Sequence, residues 1–269
     1  MLGIVQGRLS FAGRKLQSFP KNPFKEFRLA SKIGYDFIEF FGEREKNKNN
    51  PIWSNSGIEK YIKFSKKNKI KIFSFCDDYI INHSLSGIKT YRIIVNTLDR
   101  LSKLKIKKYI LPLYGSSFLN FKNENKIYKN LSKIANICSK KKIELLIESN
   151  MSPAKFKKLK RNIHSKNCFF LFDTGNRVLL KKKSIEDIYK FKNNIKHIHL
   201  KDKNIYNKNV NIGGGMVNFN SIFIALKKIK YKGSFAIESQ RGKDIELQAT
   251  KNFIFFKKLI NQHKIKWIF

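Results

Sequence analysis

Short apolar runs alternate with longer stretches in which apolar residues recur every three to four positions, and the alternation repeats eight times along the chain. The runs are Leu2 to Val5, Tyr35 to Phe40, Ile70 to Phe75, Lys108 to Leu111, Ile143 to Ile147, Phe169 to Phe172, Ile195 to Ile198 and Ser234 to Ile237. Rich in Ile and Phe and bounded by polar residues, they read as strands buried on both faces of a parallel sheet. The stretches between them predict helices near Pro23 to Ile33, Gly57 to Lys67, Ile88 to Leu104, Asn125 to Lys141, Pro153 to Asn162, Ile185 to Phe191, Phe219 to Ile229 and Ile245 to Asn261. In the first of these, Phe24, Phe27 and Ala30 share a face and Gly34 stops the helix. Pro112 is expected to stop the fourth strand. Eight strand and helix units in this order predict a parallel α/β sheet that closes into a single (β/α)₈ barrel. An open, doubly wound sheet is the competing fold. No strand is followed by a GxGxxG or GxxxxGK[ST] phosphate loop, and Gly213 to Gly215 match neither pattern.

The 269 residues come close to the roughly 250 of such a barrel, so one domain spanning residues 1–269 accounts for the chain. A hydrophobic content of 42% with 13% aromatics argues against disorder. Charge complicates the picture, because 57 Lys and Arg against 19 Asp and Glu give a formal +38, the balance of a nucleic-acid or anionic-membrane binder. These lysines are scattered through predicted helices and loops, among them Lys66 and Lys67, Lys140 to Lys142, Lys227 and Lys228, and Lys257 and Lys258. They trace no single face, and Lys, Asn, Ile and Phe abound together as an AT-rich coding bias would produce. No specific nucleic-acid partner is therefore expected, although the field would draw in small anions. Cys76, Cys138 and Cys168 form no CxxC pair, which favours a reducing compartment. With neither a leader-like N-terminus nor a run of about 20 apolar residues, the expected setting is cytoplasmic and free of membrane.

Four of the runs end in a side chain that can ligate a metal: Glu148, Asp173, His199 and Glu238. They are separated by 25, 26 and 39 residues, each enough for a helix and a return strand, with the Lys203 to Gly215 loop accounting for the longest gap. In a barrel, strand C-termini converge on the face where chemistry is done. Three carboxylates and one imidazole make a hard, oxygen-rich set suited to Mn²⁺ or Mg²⁺. A lone buried carboxylate more often serves an ion pair, and a lone strand histidine a core hydrogen bond. Three uncompensated carboxylates in one pocket, however, repel one another and take up protons unless a cation neutralises them.

The strings IESN, FDTGN, HIHLKD, GGGMVNF and GSFAIESQ resemble, in order and position, those of the xylose isomerase-like TIM barrels, which include sugar and sugar-phosphate isomerases and epimerases. The resemblance covers nearly the whole chain, and IVQGRLS, QSFP, YDFIEF and SFCDDY are similar to one branch of sugar isomerase-like proteins. It implies an active site at the C-terminal ends of the strands, with Glu148, Asp173, His199 and Glu238 holding one divalent ion, Mn²⁺ first and Mg²⁺, Co²⁺ or Zn²⁺ as alternatives. It further implies that Glu148 and Glu238 face each other across a carbohydrate substrate as an acid and base pair. Two positions depart from the ketose epimerases of that family, with Asn176 in place of a histidine and Ile205 in place of an arginine, which speaks against a free-ketose epimerase.

Further substrate contacts are expected from Arg8, His83, Asn176, Lys201 and Arg241. The two arginines follow the first and eighth strands and would clamp a phosphate or carboxylate, or else lie solvated. His83 is balanced between substrate and loop, His197 is expected to be a hydrogen-bonded core residue, and Asp77 and Asp78 are candidate caps. Two other functions share this barrel: an endonuclease IV-like phosphodiesterase acting on abasic DNA, and a noncatalytic metal-binding barrel. The first needs a three-zinc cluster that five histidines do not readily build; the second leaves four intact ligands unexplained. Homo-oligomerisation stays open.

Overall fold

The structure, a computed structural model, describes residues 1–11, 17–180 and 183–266. Its strands are β1 (Leu2–Val5), β2 (Phe37–Gly42), β3 (Lys71–Asp77), β4 (Lys108–Pro112), β5 (Glu144–Glu148), β6 (Cys168–Asp173), β7 (Ile195–Leu200), β8 (Asp202–Lys203), β9 (Asn209–Val210) and β10 (Ser234–Ile237). Eight of them close into a parallel barrel in the order β1-β10-β7-β6-β5-β4-β3-β2, with helices between successive barrel strands. The fold is the expected (β/α)₈ barrel. The remaining two, β8 and β9, pair antiparallel as a short ribbon. The chain divides into two compact units, one of residues 1–38, 68–70 and 170–269, the other of residues 39–67 and 71–169.

In the first unit, β10 lies between β1 and β7, with Ala236 opposite both Gly3 and His199, and Ser234 opposite His197. Paired residues in a sheet share a face, so Gly3, Ser234, Ala236, His197 and His199 line one side. Small residues there leave room for large ones: a Cβ at Gly3 would run into the Phe37 ring. Phe235 points the other way, stacks on Phe223 at 5.4 Å and meets Tyr231 edge-on at 5.2 Å. Between β6 and β7 the register slips by one at Phe170/Leu171, so that Asp173 pairs with His199. Without that bulge Asp173 would lie beside Ile198 and its side chain would face away from the imidazole.

A short helix, Thr174–Val178, follows β6 directly, capped by the Asp173 side chain, whose Oδ1 accepts from the Asn176 N–H at 2.7 Å. Its Arg177 is fully buried, bonded to Asp187 of the next helix and 5.3–5.6 Å from the ring centroids of Phe170, Phe172 and Phe191. A charge in that setting is tolerable because the carboxylate and three ring faces replace water.

In the second unit β4 pairs with β3 and β5, and Pro112 sits within β4 rather than after it, opposite Glu148. The last position of a strand is one that proline can occupy, and the neighbouring Leu113 N–H bonds the Glu148 carbonyl instead. Buried polar groups on both faces are satisfied locally: Ser74 donates to Glu39 at 2.6 Å, and on the opposite face Tyr109 donates to Asp77. Asp77 also accepts from the Tyr79 N–H and so opens the four-residue helix Tyr79–Asn82. β2 begins at Phe37 rather than Tyr35, because the Tyr35 N–H still bonds the Ala30 carbonyl of the preceding helix at 2.9 Å, and the Asp36 side chain accepts from the Leu2 N–H at 2.7 Å. Among the described residues no helix is long and apolar enough to cross a membrane.

The Arg177–Asp187 pair generates a stability prediction. Arg177→Ala or Asp187→Ala strands one buried charge and should lower unfolding free energy by about 3–5 kcal/mol, whereas Arg177→Met with Asp187→Leu should lose much less. Urea denaturation of the three variants measures this, and equal losses in single and double variants would show that the charges themselves are unimportant.

Candidate metal centre

Strand register brings the candidate ligands of the first unit together. Asp173 ends β6 and pairs with His199 of β7, while Glu238 follows β10 and donates its N–H to the Leu200 carbonyl at 3.0 Å. His199 Nδ1 lies 3.1 Å from Glu238 Oε2. All three side chains are buried. Burial alone would raise the pKa of Glu238; the charge of Lys201, the hydrogen bond and charge of His199, and the charge of Arg8 outweigh it and hold the carboxyl below its ordinary value.

The counter-charges stand close. Lys201 Nζ is 3.0 Å from Glu238 Oε1 and 3.6 Å from Asp173 Oδ2. Arg8 Nη2 is 3.7 Å from Glu238 Oε1 and donates to Gln17 Oε1 at 2.6 Å, while Gln17 Nε2 donates to Glu238 Oε1 at 2.6 Å. Gln17 is a member of this group that the sequence did not single out; its only signal was its place in the QSFP string. Asp173 spends Oδ1 on the helix cap, and its buried Oδ2 has no hydrogen-bond partner. A buried acceptor left bare is costly, and a cation there would satisfy it.

Glu148 is the last residue of β5 and is buried. Glu39 accepts from Ser74, and His197 Nδ1 lies 2.6 Å from Ser234 Oγ, the hydrogen-bonded core role expected of it.

The remaining candidates fall into two groups. Lys201 and Arg8 stand against the carboxylates, and Asn176 contributes its N–H to Asp173. His83 instead stacks on Tyr79 at 4.0 Å, with Nε2 3.0 Å from Glu45 Oε2. Arg241 Nε donates to the Gly7 carbonyl at 2.6 Å. That bond belongs to a knot around the loop after β1. The buried Glu26 accepts from the Gly7 N–H with both oxygens at 2.9 Å, from the Leu9 N–H at 3.2 Å and from the Ser10 hydroxyl at 2.8 Å. The loop held in this way carries Arg8. Burial raises the Glu26 pKa from 4.5 to about 7, even though these hydrogen bonds and Arg8 work to lower it.

The sequence profile of the family described as xylose isomerase-like TIM barrel matches residues 27–259. Among solved structures, the chain is similar to a D-psicose 3-epimerase from Clostridium cellulolyticum H10, at 14% identity and TM-score 0.79, covering 96% of this chain and 99% of the other. It is similar to a xylose isomerase domain protein from Planctomyces limnophilus, at 12% identity and TM-score 0.78 over 98% of each chain. It is also similar to a 3-keto-D-glucoside 4-epimerase from E. coli, at 15% identity and TM-score 0.72, covering 96% of this chain and 98% of the other. At these identities the likeness is one of fold. Among curated protein sequences none matches this chain.

Glu26 sets a pH dependence of defined sign. Its folded pKa of about 7 exceeds the ordinary 4.5, so its proton stabilises the fold fully below pH 4.5, and that contribution is lost as pH rises through 7. Glu26→Gln should flatten the stability profile between pH 5 and 8 by roughly 3 kcal/mol. Denaturant titrations at the two ends test it; an unchanged slope in the variant would exclude Glu26 as its source.

Proposed function

Because the chain belongs to the xylose isomerase-like TIM barrel family, we propose that it is a divalent-metal-dependent isomerase or epimerase of a sugar, sugar phosphate or related polyhydroxy acid. The observation that carries this reading is the meeting of Asp173, His199 and Glu238 at adjoining strand ends, with a buried Asp173 Oδ2 that lacks a hydrogen bond. Glu148, Asp173, His199 and Glu238 would hold the ion, Mn²⁺ by preference for a hard, oxygen-rich set. When bound, the ion would supply Lewis-acid stabilisation of the negative charge that develops on neighbouring oxygens as a carbon acid ionises.

The side chains would carry the proton. Without an ion, Lys201, His199 and Arg8 hold Glu238 as a carboxylate, the form that accepts a proton from the carbon beside the substrate carbonyl. Glu148 would return a proton to the resulting enediolate. Delivery to the neighbouring carbon gives an isomer, and delivery to the opposite face of the same carbon gives an epimer. Asn176 and Ile205, in place of a histidine and an arginine, favour a substrate other than a free ketose. The buried cations Arg8 and Lys201 favour one that carries a carboxylate or phosphate. The alternative of a three-zinc phosphodiesterase lacks ligands: His83 pairs with Glu45, His263 with Asn220, and His164 caps a helix as its left-handed last residue. A cytoplasmic setting fits three buried cysteines that are not joined in disulfides.

Two experiments test the reading. Asp173→Ala and His199→Ala should each weaken Mn²⁺ binding by at least tenfold while leaving the circular dichroism spectrum unchanged; full occupancy in both under mild chelation would refute the site. Glu148→Gln and Glu238→Gln should lower turnover, and exchange of the substrate's carbon-bound hydrogen with deuterated water, by about two to four orders of magnitude. A screen of phosphorylated and unphosphorylated ketoses and sugar acids supplies the substrate, and undiminished exchange in both variants would exclude the glutamate pair.

A further inference from the structure

Among the described residues only two lysines are buried, Lys108 and Lys201, in a chain whose other cationic side chains lie largely at the surface. Lys108 pairs with Glu144 at 3.5 Å and lies over the Phe73 ring. Lys201 points its ammonium at the carboxylates of the candidate metal centre. We propose that Lys201 is a built-in competitor of the metal, neutralising Asp173 and Glu238 when no ion is bound and withdrawing from them when one binds. The proposal rests on the metal reading above and extends it to the metal-free protein.

The geometry sets the two cations against each other. A divalent ion binds carboxylate oxygens at about 2.0–2.2 Å, and the oxygens concerned are those that Lys201 Nζ holds at 3.0 and 3.6 Å. An ion sharing those oxygens would stand a few ångströms from the ammonium, and like charges at that range in a buried site repel strongly, so binding favours withdrawal of the ammonium. The main chain of Lys201 is fixed: its N–H donates to Thr174 Oγ1 at 2.9 Å, and its carbonyl accepts from that hydroxyl at 2.6 Å. Its stem runs past Gly175, where a Cβ would come within 3.0 Å of Lys201 Cγ. The path is kept open by the absence of a side chain. Anchored at the backbone and carried on a flexible stem, a lysine can move its point charge by rotating single bonds. The planar, bidentate guanidinium of an arginine would be harder to release. Arg8, bonded to Gln17, lies farther off at 3.7 Å from Glu238 and is the less direct competitor.

Metal-stripped protein titrated with manganese chloride in a calorimeter, together with thermal unfolding of the metal-free form, tests the idea. Lys201→Met removes the charge and keeps the stem; it should bind Mn²⁺ at least tenfold more tightly, equivalent to about 1.4 kcal/mol. Its metal-free melting temperature should fall by a few degrees and recover when Mn²⁺ is added. Lys201→Gln should behave in the same way, while Lys201→Arg should gain no affinity. If Lys201→Met and Lys201→Gln are folded and bind Mn²⁺ no more tightly than the parent, Lys201 is not a competitor, although the metal reading survives. If neither the parent nor the variants bind Mn²⁺, both fail together.

Discussion

Charge balance at the ends of β6, β7 and β10 is the constraint around which this molecule is arranged. Carboxylates withdrawn from water must be met by positive charge, hydrogen-bond donors or protons. The structure meets Glu238 with Lys201, Arg8, Gln17 and His199, and meets one oxygen of Asp173 with a backbone N–H. The second oxygen of Asp173 is left to ion-pair attraction alone. That incomplete balance supports a metal ion as the missing partner and separates this cluster from Glu39 and Asp77, whose carboxylates are already engaged by the hydroxyls of Ser74 and Tyr109.

The barrel was legible in the chain because its signal is local. An apolar run of four or five residues between polar stretches has few alternatives, and β1 and β10 run between the residues expected of them. The candidate ligands stood out for the same reason, since each is a polar group at the end of such a run. The connections were harder to read. The bulge between β6 and β7 depends on which residue of one strand faces which of the other, and no composition or period within either strand encodes that. Nothing along the chain marks Glu26, in the first turn of its helix, as the partner of a loop 17 to 19 residues away. Nor does local sequence tell Arg177 from a surface cation, since its enclosure among three phenylalanines is tertiary.

Net charge shows why an average misleads. The formal +38 describes a surface, and it says little about the interior, where buried lysines and arginines have acidic neighbours. The surplus of lysine affects long-range attraction for anions and solubility. The chemistry would depend on a handful of cations at fixed positions.

Thr174 ties two loops of the first unit into one. Its hydroxyl both gives a hydrogen bond to the main chain of Lys201 and takes one from it, and the glycine that follows shapes the channel for that lysine's stem. The segments after β6 and after β7 are therefore a single exchangeable part. A chimaera that imports the post-β6 loop from another barrel without its cognate residue 201 would set a foreign side chain against a lysine it was never matched to. Recombination among such barrels has its natural cut points outside this pair of loops, not between them.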